Sequence, residues 1–110
     1  MKGILIDPIT RTITECELKQ KDLFDQLYKL MDCDIIERFS LPYHENVEAR
    51  SMDDMWLDEM GWLRHVPAPF MYGGKMFAGK CVILGANRDG SKSVDAKVSK
   101  DNVTKLVKWH

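Results

Sequence analysis

The pattern of apolar and polar positions predicts strands along most of the chain. Residues 79–86 are apolar on both alternating faces, which is typical of a strand covered on each side and places it at the centre of a sheet. Residues 2–7 and 13–18 are β-prone runs joined by a Pro-led polar link, which predicts an N-terminal hairpin. A further strand is predicted over residues 34–41, and a short strand or extended link over residues 91–96.

Two segments carry the three- and four-residue spacing of amphipathic helices. The first, over residues 21–31, has an apolar stripe formed by Leu23, Phe24, Leu27, Tyr28, Leu30 and Met31. We expect this stripe to pack on the sheet. The second begins at Ser99, an N-cap residue, with Asp101 in its first turn and a short stripe of Val103, Leu106 and Val107. We expect Trp109 to fold back onto the core.

Turn residues concentrate in the middle of the chain. Residues 56–63 have apolar positions on both sides of a turn that ends at Gly61, which predicts two short antiparallel strands joined where Gly takes a positive φ. Residues 65–74 contain two prolines and a Gly-Gly pair. Because Pro has no N–H to give to a strand ladder, a surface loop with buried aromatic anchors is predicted there. The polar residues 43–51 predict another loop.

These elements together predict a single α+β domain over residues 1–110. We expect a mainly antiparallel sheet of about four to six strands with the two helices packed against it. A chain of 110 residues with 45% hydrophobic and 30% charged residues fits one globular domain. The N-terminus has only three consecutive apolar positions before a charge, so we expect neither a signal peptide nor a membrane span.

The net charge of −1 conceals an uneven distribution along the chain. Residues 1–74 contain 8 Lys or Arg against 14 Asp or Glu, whereas residues 75–110 contain 8 against 3. The basic residues 75–110 could contact phosphates, but the nearly neutral net charge of the whole chain gives no strong electrostatic attraction to nucleic acid. Nucleic acid is therefore not the expected partner. Cys16, Cys33 and Cys81 are widely spaced and odd in number, which argues against a disulfide framework or zinc site and favours a reducing cytoplasm.

No pattern of catalytic strength is found in the sequence. The histidines at positions 44, 65 and 110 are not at helical ligand spacing, and the Gly-Gly-Lys segment lacks the rest of a phosphate loop. Cys81 lies in the most apolar strand, where a thiol pKa should be raised. Asp58 and Glu59 are adjacent and would point to opposite faces of a strand. We therefore predict a non-enzymatic protein with no metal and no cofactor.

The aromatic residues between positions 56 and 77 are the best candidates for binding. Some of these aromatic side chains must belong to the hydrophobic core, and for each of them a structural role is the alternative to binding. The segment around residues 64–74 nevertheless combines prolines, glycines and aromatics, a composition suited to a ligand lid or a protein-binding edge. The candidate binding residues are Trp62, Arg64, His65, Phe70, Tyr72, Asn87 and Arg88.

The centre of the chain resembles a family of small uncharacterised proteins of phages and other mobile elements. Residues 56–63 are similar to its Asp-Glu-x-Gly turn, and residues 77–85 to its Ala-Gly step into an apolar strand that ends in Gly. Residues 1–14 and 98–109 also resemble the start and the closing segment of that family. The resemblance implies an accessory protein made in the bacterial host cytoplasm, and it brings no catalytic residues with it.

Two functional hypotheses follow. The first is a phage or mobile-element protein that binds and modulates a host protein, such as a component of defence or transcription. The second is a protein that binds or sequesters a small nucleotide signal, with aromatic side chains stacking on the base and Arg64, Asn87 or Arg88 holding the phosphate. Exposed strand edges could also pair between two copies of the chain, so a homodimer is a further alternative.

Overall fold

A computed structural model of the protein describes residues 1–41, 53–64, 67–87 and 89–110. Within these residues the chain forms nine strands, two α-helices and one short 3-10 helix. In chain order they are β1 (Lys2–Asp7), β2 (Thr12–Glu17), α1 (Leu23–Met31), β3 (Ile36–Ser40), β4 (Asp53–Asp58), the 3-10 helix (Gly61–Leu63), β5 (Pro69–Tyr72), β6 (Lys75–Ala78), β7 (Cys81–Ala86), β8 (Ser93–Val94), α2 (Lys100–Leu106) and β9 (Val107–Trp109).

Six of the strands form the main sheet, and all of their pairings are antiparallel. The order is β2-β1-β7-β4-β3, and the short β8 also pairs with β7. All six residues of β7 are buried, because both faces of the sheet are covered. The structure thus confirms the predicted central strand, the N-terminal hairpin of β1 and β2, and the short strand between residues 91 and 96.

The two faces of the main sheet belong to two separate hydrophobic clusters. Side chains alternate along β7, so that Cys81 and Ile83 face one cluster while Val82 and Leu84 face the other. A second, three-stranded sheet of order β6-β5-β9 and helix α2 contribute to the first cluster, and α1 contributes to the second. The predicted α+β class, with two helices and a mostly antiparallel sheet of six strands, is confirmed, and the second small sheet adds to it.

Both predicted helices are present. In α1, Leu27 and Met31 are buried against the sheet, but Phe24 is 53% exposed although it belongs to the predicted apolar stripe. In α2, the Ser99 hydroxyl accepts a hydrogen bond from the Asn102 N–H at 3.1 Å, as expected of an N-cap. The chain leaves α2 directly into β9, where the ring of Trp109 lies 6.3 Å from that of Phe70.

The middle of the chain differs from the prediction in two places. Residues 56–63 do not form a hairpin: β4 ends at Asp58 and a 3-10 helix follows. The predicted loop over residues 65–74 is wrong between Pro69 and Tyr72, which form β5. The strand tolerates Pro69 because it is the first residue, paired with β6 but not with β9.

The Gly-Gly pair forms the turn between β5 and β6. Gly73 and Gly74 have φ angles of 55° and 86°, and residues without a Cβ reach this region most readily. The loop predicted over residues 43–51 lies outside the described residues. Among the described helices, none is long and apolar enough to cross a membrane.

Candidate functional site

The turn that follows β4 is held by one buried carboxylate. Asp58 Oδ1 accepts the Met60 N–H at 2.9 Å, and Asp58 Oδ2 accepts the Arg64 Nε–H at 2.9 Å and lies 2.8 Å from Arg64 Nη2. Hydrogen bonds between ionised partners of this kind are about twice as strong as neutral ones. They raise the pKa of the Arg64 guanidinium, and they fix the chain on both sides of the 3-10 helix.

Gly61 is required at the start of the 3-10 helix for a different reason from the one predicted. Its φ is not positive. A Cβ placed on it would collide with the carbonyl oxygen of Ala78 in β6, so the backbone of the helix lies directly against that strand. The turn is therefore fixed by close packing as well as by Asp58.

The fixed turn displays large apolar side chains to solvent. Trp62 is 54% exposed and Leu63 is 75% exposed. The Glu59 N–H donates to the Ile35 carbonyl oxygen at 3.1 Å, which brings the residue before β3 beside the turn. Four exposed apolar residues lie on or next to this turn, namely Ile35, Met60, Trp62 and Leu63, and we call them together the apolar patch.

A second candidate surface, a cleft, lies on the face of the main sheet that α1 covers. It is a cleft of about 470 Å³, bounded by the first turn of α1, by β3 and β4, and by the turn between β7 and β8. The side chains that define it chemically are Asp22, Phe24, Asp25, Arg38, Trp56 and Lys92. We call it the aromatic cleft.

Pairing between β3 and β4 builds the floor of the aromatic cleft. Arg38 lies directly opposite Trp56 in the register, so both side chains project from the same face. The guanidinium carbon of Arg38 is 5.9 Å from the centroid of the Trp56 ring. The centroid of the Phe24 ring is 5.6 Å from that of the Trp56 ring. These distances correspond to a cation–π contact and a tilted aromatic pair.

Arg38 is also tied to the wall of the cleft. Its Nη1 donates to the Gly90 carbonyl oxygen at 3.3 Å and lies 3.9 Å from Asp54 Oδ2. Burial raises the pKa of the Asp54 carboxyl, and the charge of Arg38 partly opposes that shift. Trp56 Nε1 is buried and has no hydrogen-bond partner in the described part of the chain.

The predicted binding residues that the structure describes are distributed over the molecule and do not lie together. Trp62 and Arg64 lie beside the end of β4, near the start of β7, whereas Asn87 follows the other end of β7. Phe70 and Tyr72 are core residues of β5, with no surface to offer a ligand. His65 and Arg88 lie outside the described residues.

Asn87 organises the turn that forms one wall of the aromatic cleft. Its side-chain oxygen accepts the Lys92 N–H at 3.1 Å, and its side-chain nitrogen donates to the Ser91 hydroxyl at 3.2 Å. Asp89 accepts from the same hydroxyl at 2.6 Å, and this bonding lowers the pKa of Asp89. Asn87 therefore acts within the protein, by setting the position of the segment that carries Lys92.

The described cysteines lie in surroundings that disfavour thiolate chemistry. Burial raises the pKa of the Cys16, Cys33 and Cys81 thiols, which disfavours the reactive thiolate form. Burial, with the nearby charge of Asp53, also raises the pKa of Tyr72. Over residues 1–41, 53–64, 67–87 and 89–110, no cluster of three His, Cys, Asp or Glu side chains could hold a metal ion.

Comparison with known proteins gave no relative. No protein-family model, no curated protein and no solved structure matches this chain.

Sequence reasoning missed the aromatic cleft. Phe24 has the spacing of a core residue, and nothing local distinguishes it from its buried neighbours in the stripe. Arg38 and Trp56 come together only through strand pairing, and Lys92 joins them through a turn much later in the chain. The polar residue Arg38 inside a predicted strand was the one available signal.

Proposed function

We propose that this protein binds another protein through the apolar patch and acts without catalysis. The observation that carries the proposal is the exposure of Trp62 and Leu63 on a turn that Asp58 and Gly61 hold in place. A cluster of large apolar side chains displayed in this way is typical of a protein-interaction surface.

The chemistry of the patch suits a binding centre. Tryptophan and arginine are among the residues enriched at the positions that dominate binding energy in protein interfaces, and Arg64 follows directly after Leu63 of the patch. Binding by flexible side chains and loops is weakened by the entropy lost on ordering them. Because the Asp58 carboxylate already orders the turn, much of that loss occurs on folding and not on binding.

The class of partner follows from the family resemblance and not from the surface itself. If the protein is an accessory protein of a phage or mobile element, its partner is a host protein in the bacterial cytoplasm, such as a component of defence or transcription. The patch would then modulate that partner by occupying one of its own binding surfaces.

The test is quantitative capture from bacterial lysate by the tagged protein and its variants. Trp62→Ala and Leu63→Ala should each lower the recovery of the specific partner by about tenfold or more, as expected for an interface centre. Phe24→Ala is the matched control, since Phe24 is 53% exposed and Trp62 is 54% exposed. Phe24 lines the aromatic cleft instead of the patch, so its removal should leave recovery unchanged.

Equal recovery by the Trp62 and Leu63 variants and by the native protein would refute the apolar patch as the binding surface. The thermal midpoint of each variant should be measured in parallel. A midpoint close to the native value shows that lost capture reflects the surface and not unfolding.

A further inference from the structure

The aromatic cleft has the size and lining of a small-molecule site. Its volume of about 470 Å³ falls within the range of roughly 300–1,000 Å³ that such sites occupy. Phe24 is 53% exposed and packs at a tilt on Trp56, which is only 8% exposed. An aromatic ring fixed from below and open above offers a stacking face to a planar ligand.

One side of the cleft is suited to an anionic group. Arg38 and Lys92 both line it, and their side chains extend from β3 and from the turn after β7. The first turn of α1 forms part of the wall, and the Asp22 side chain makes no capping hydrogen bond to the backbone N–H groups there. Uncapped N–H groups at a helix start carry a partial positive charge that adds to the two cations.

The same wall also carries two carboxylates, which favour a ligand with hydrogen-bond donor groups. Asp22 and Asp25 are exposed and line the cleft. They can accept hydrogen bonds from hydroxyl or amino groups, and they would repel a ligand that is only an anion. Trp56 Nε1, buried and without a partner among the described residues, is a donor that needs an acceptor.

From this combination we infer that the aromatic cleft binds a small molecule with a planar heteroaromatic ring, hydroxyl groups and one anionic group, of the nucleoside monophosphate class. The ring stacks on Phe24, the anionic group lies between Arg38 and Lys92, and the hydroxyl groups face Asp22 and Asp25. The site lies apart from the apolar patch, so it does not depend on the proposed protein binding.

The experiment is isothermal titration calorimetry of the full chain with AMP, GMP, CMP and UMP. At least one monophosphate should bind the native protein, and raising the salt concentration should weaken that binding. Phe24→Ala should lower the affinity by about tenfold, the effect of losing one stacking face. Lys92→Gln should lower it by about tenfold or more, and this exposed turn residue is not needed for folding.

Fragments of the ligand separate the two halves of the site. The nucleoside without phosphate and inorganic phosphate should each bind more weakly than the intact monophosphate. Phosphate bound as tightly as the monophosphate would overturn the stacking role of Phe24. Trp62→Ala is the matched control and should bind the monophosphate with native affinity, which distinguishes this site from the apolar patch.

Two results would overturn the inference outright. One is the absence of heat with all four monophosphates at millimolar concentration. The other is binding that neither Phe24→Ala nor Lys92→Gln changes, because the ligand would then occupy another part of the molecule.

Discussion

Trp56 and Trp62 lie in consecutive elements of the chain and have opposite environments. Trp56 is in β4, covered by Phe24 and Arg38, and is 8% exposed. Trp62 is in the 3-10 helix that follows, and it is 54% exposed. Each has an adjacent leucine and an acidic residue within three positions in the sequence. What separates them is that the chain leaves the main sheet at Asp58, between the two residues.

The difference shows two ways of fixing a large aromatic side chain. Trp56 is held by packing, because its ring is enclosed by neighbours from other elements. Trp62 is held through its backbone, since Asp58 and the contact of Gly61 with β6 fix the turn while the ring stays in solvent. Removing the first ring should therefore damage the fold, and removing the second should change only the surface.

The largest expected effect is on stability when Trp56 is truncated. Trp56→Ala should lower the free energy of unfolding by about 3–5 kcal/mol, because it empties a buried position that cannot fully collapse. Trp62→Ala should change it by no more than about 0.5 kcal/mol, as for most surface substitutions. Urea unfolding of the two variants measures both values, and equal losses would contradict the contrast between packing and backbone control.

A smaller effect is expected when the carboxylate that fixes the Trp62 turn is neutralised. Asp58→Asn removes the charged partner of the half-exposed Arg64 and should lower the free energy of unfolding by clearly less than Trp56→Ala does. The amide N–H groups of the 3-10 helix should also exchange with solvent faster. Urea unfolding and hydrogen exchange measure these changes.

Glu59→Gln is the matched control for Asp58, since Glu59 is the adjacent acid and is exposed. It should leave both unfolding and exchange at native values. Unaltered exchange in the Asp58 variant would show that packing at Gly61 is sufficient to hold the turn.

The smallest expected effect is on how the thermal midpoint depends on pH. It comes from Asp54, whose carboxyl lies near Arg38, the residue that contacts the Trp56 ring. Burial raises the pKa of Asp54, near Arg38, above its ordinary value of 3.8. A carboxyl with a raised pKa in the folded state contributes stability below pH 3.8, and this contribution is lost as pH rises through the folded-state pKa. Asp54→Asn avoids that loss, so it should raise the thermal midpoint at pH 7 more than at pH 3.8.

The exposed Asp25→Asn is the control for the loss of one carboxylate charge. If Asp54→Asn instead lowered the midpoint at pH 7, the ion pair with Arg38 would outweigh the cost of burying the carboxylate.

Much of the fold follows from local pattern. The apolar run of β7, the β1–β2 hairpin and the stripe of α1 were predictable because side-chain periodicity reports which faces are buried. Ser99 identified the start of α2 because an N-cap needs only its own neighbours. The Gly-Gly pair was recognised as part of a turn-rich segment, but the β5–β6 hairpin that it closes was not predicted.

The candidate sites were less predictable. Trp62 and Arg64 were selected from composition and are exposed, whereas Phe70 and Tyr72 were selected by the same reasoning and are buried in β5. Composition cannot separate the two pairs. Their exposure depends on the second sheet, which β5 forms with β6 and with β9 at the far end of the chain.

Local periodicity, caps and turn residues were thus sufficient for β1, β2, β7, α1 and the start of α2, since these signals act over a few residues, but they did not identify β5 or the 3-10 helix. The exposure of each aromatic side chain and the existence of the aromatic cleft came from contacts between distant segments. Arg38 meets Trp56 through the β3–β4 pairing, and its Nη1 donates to the Gly90 carbonyl oxygen in the turn that carries Lys92. Such contacts exist only once the sheet order is settled, and that order depends on burying both faces of β7 together.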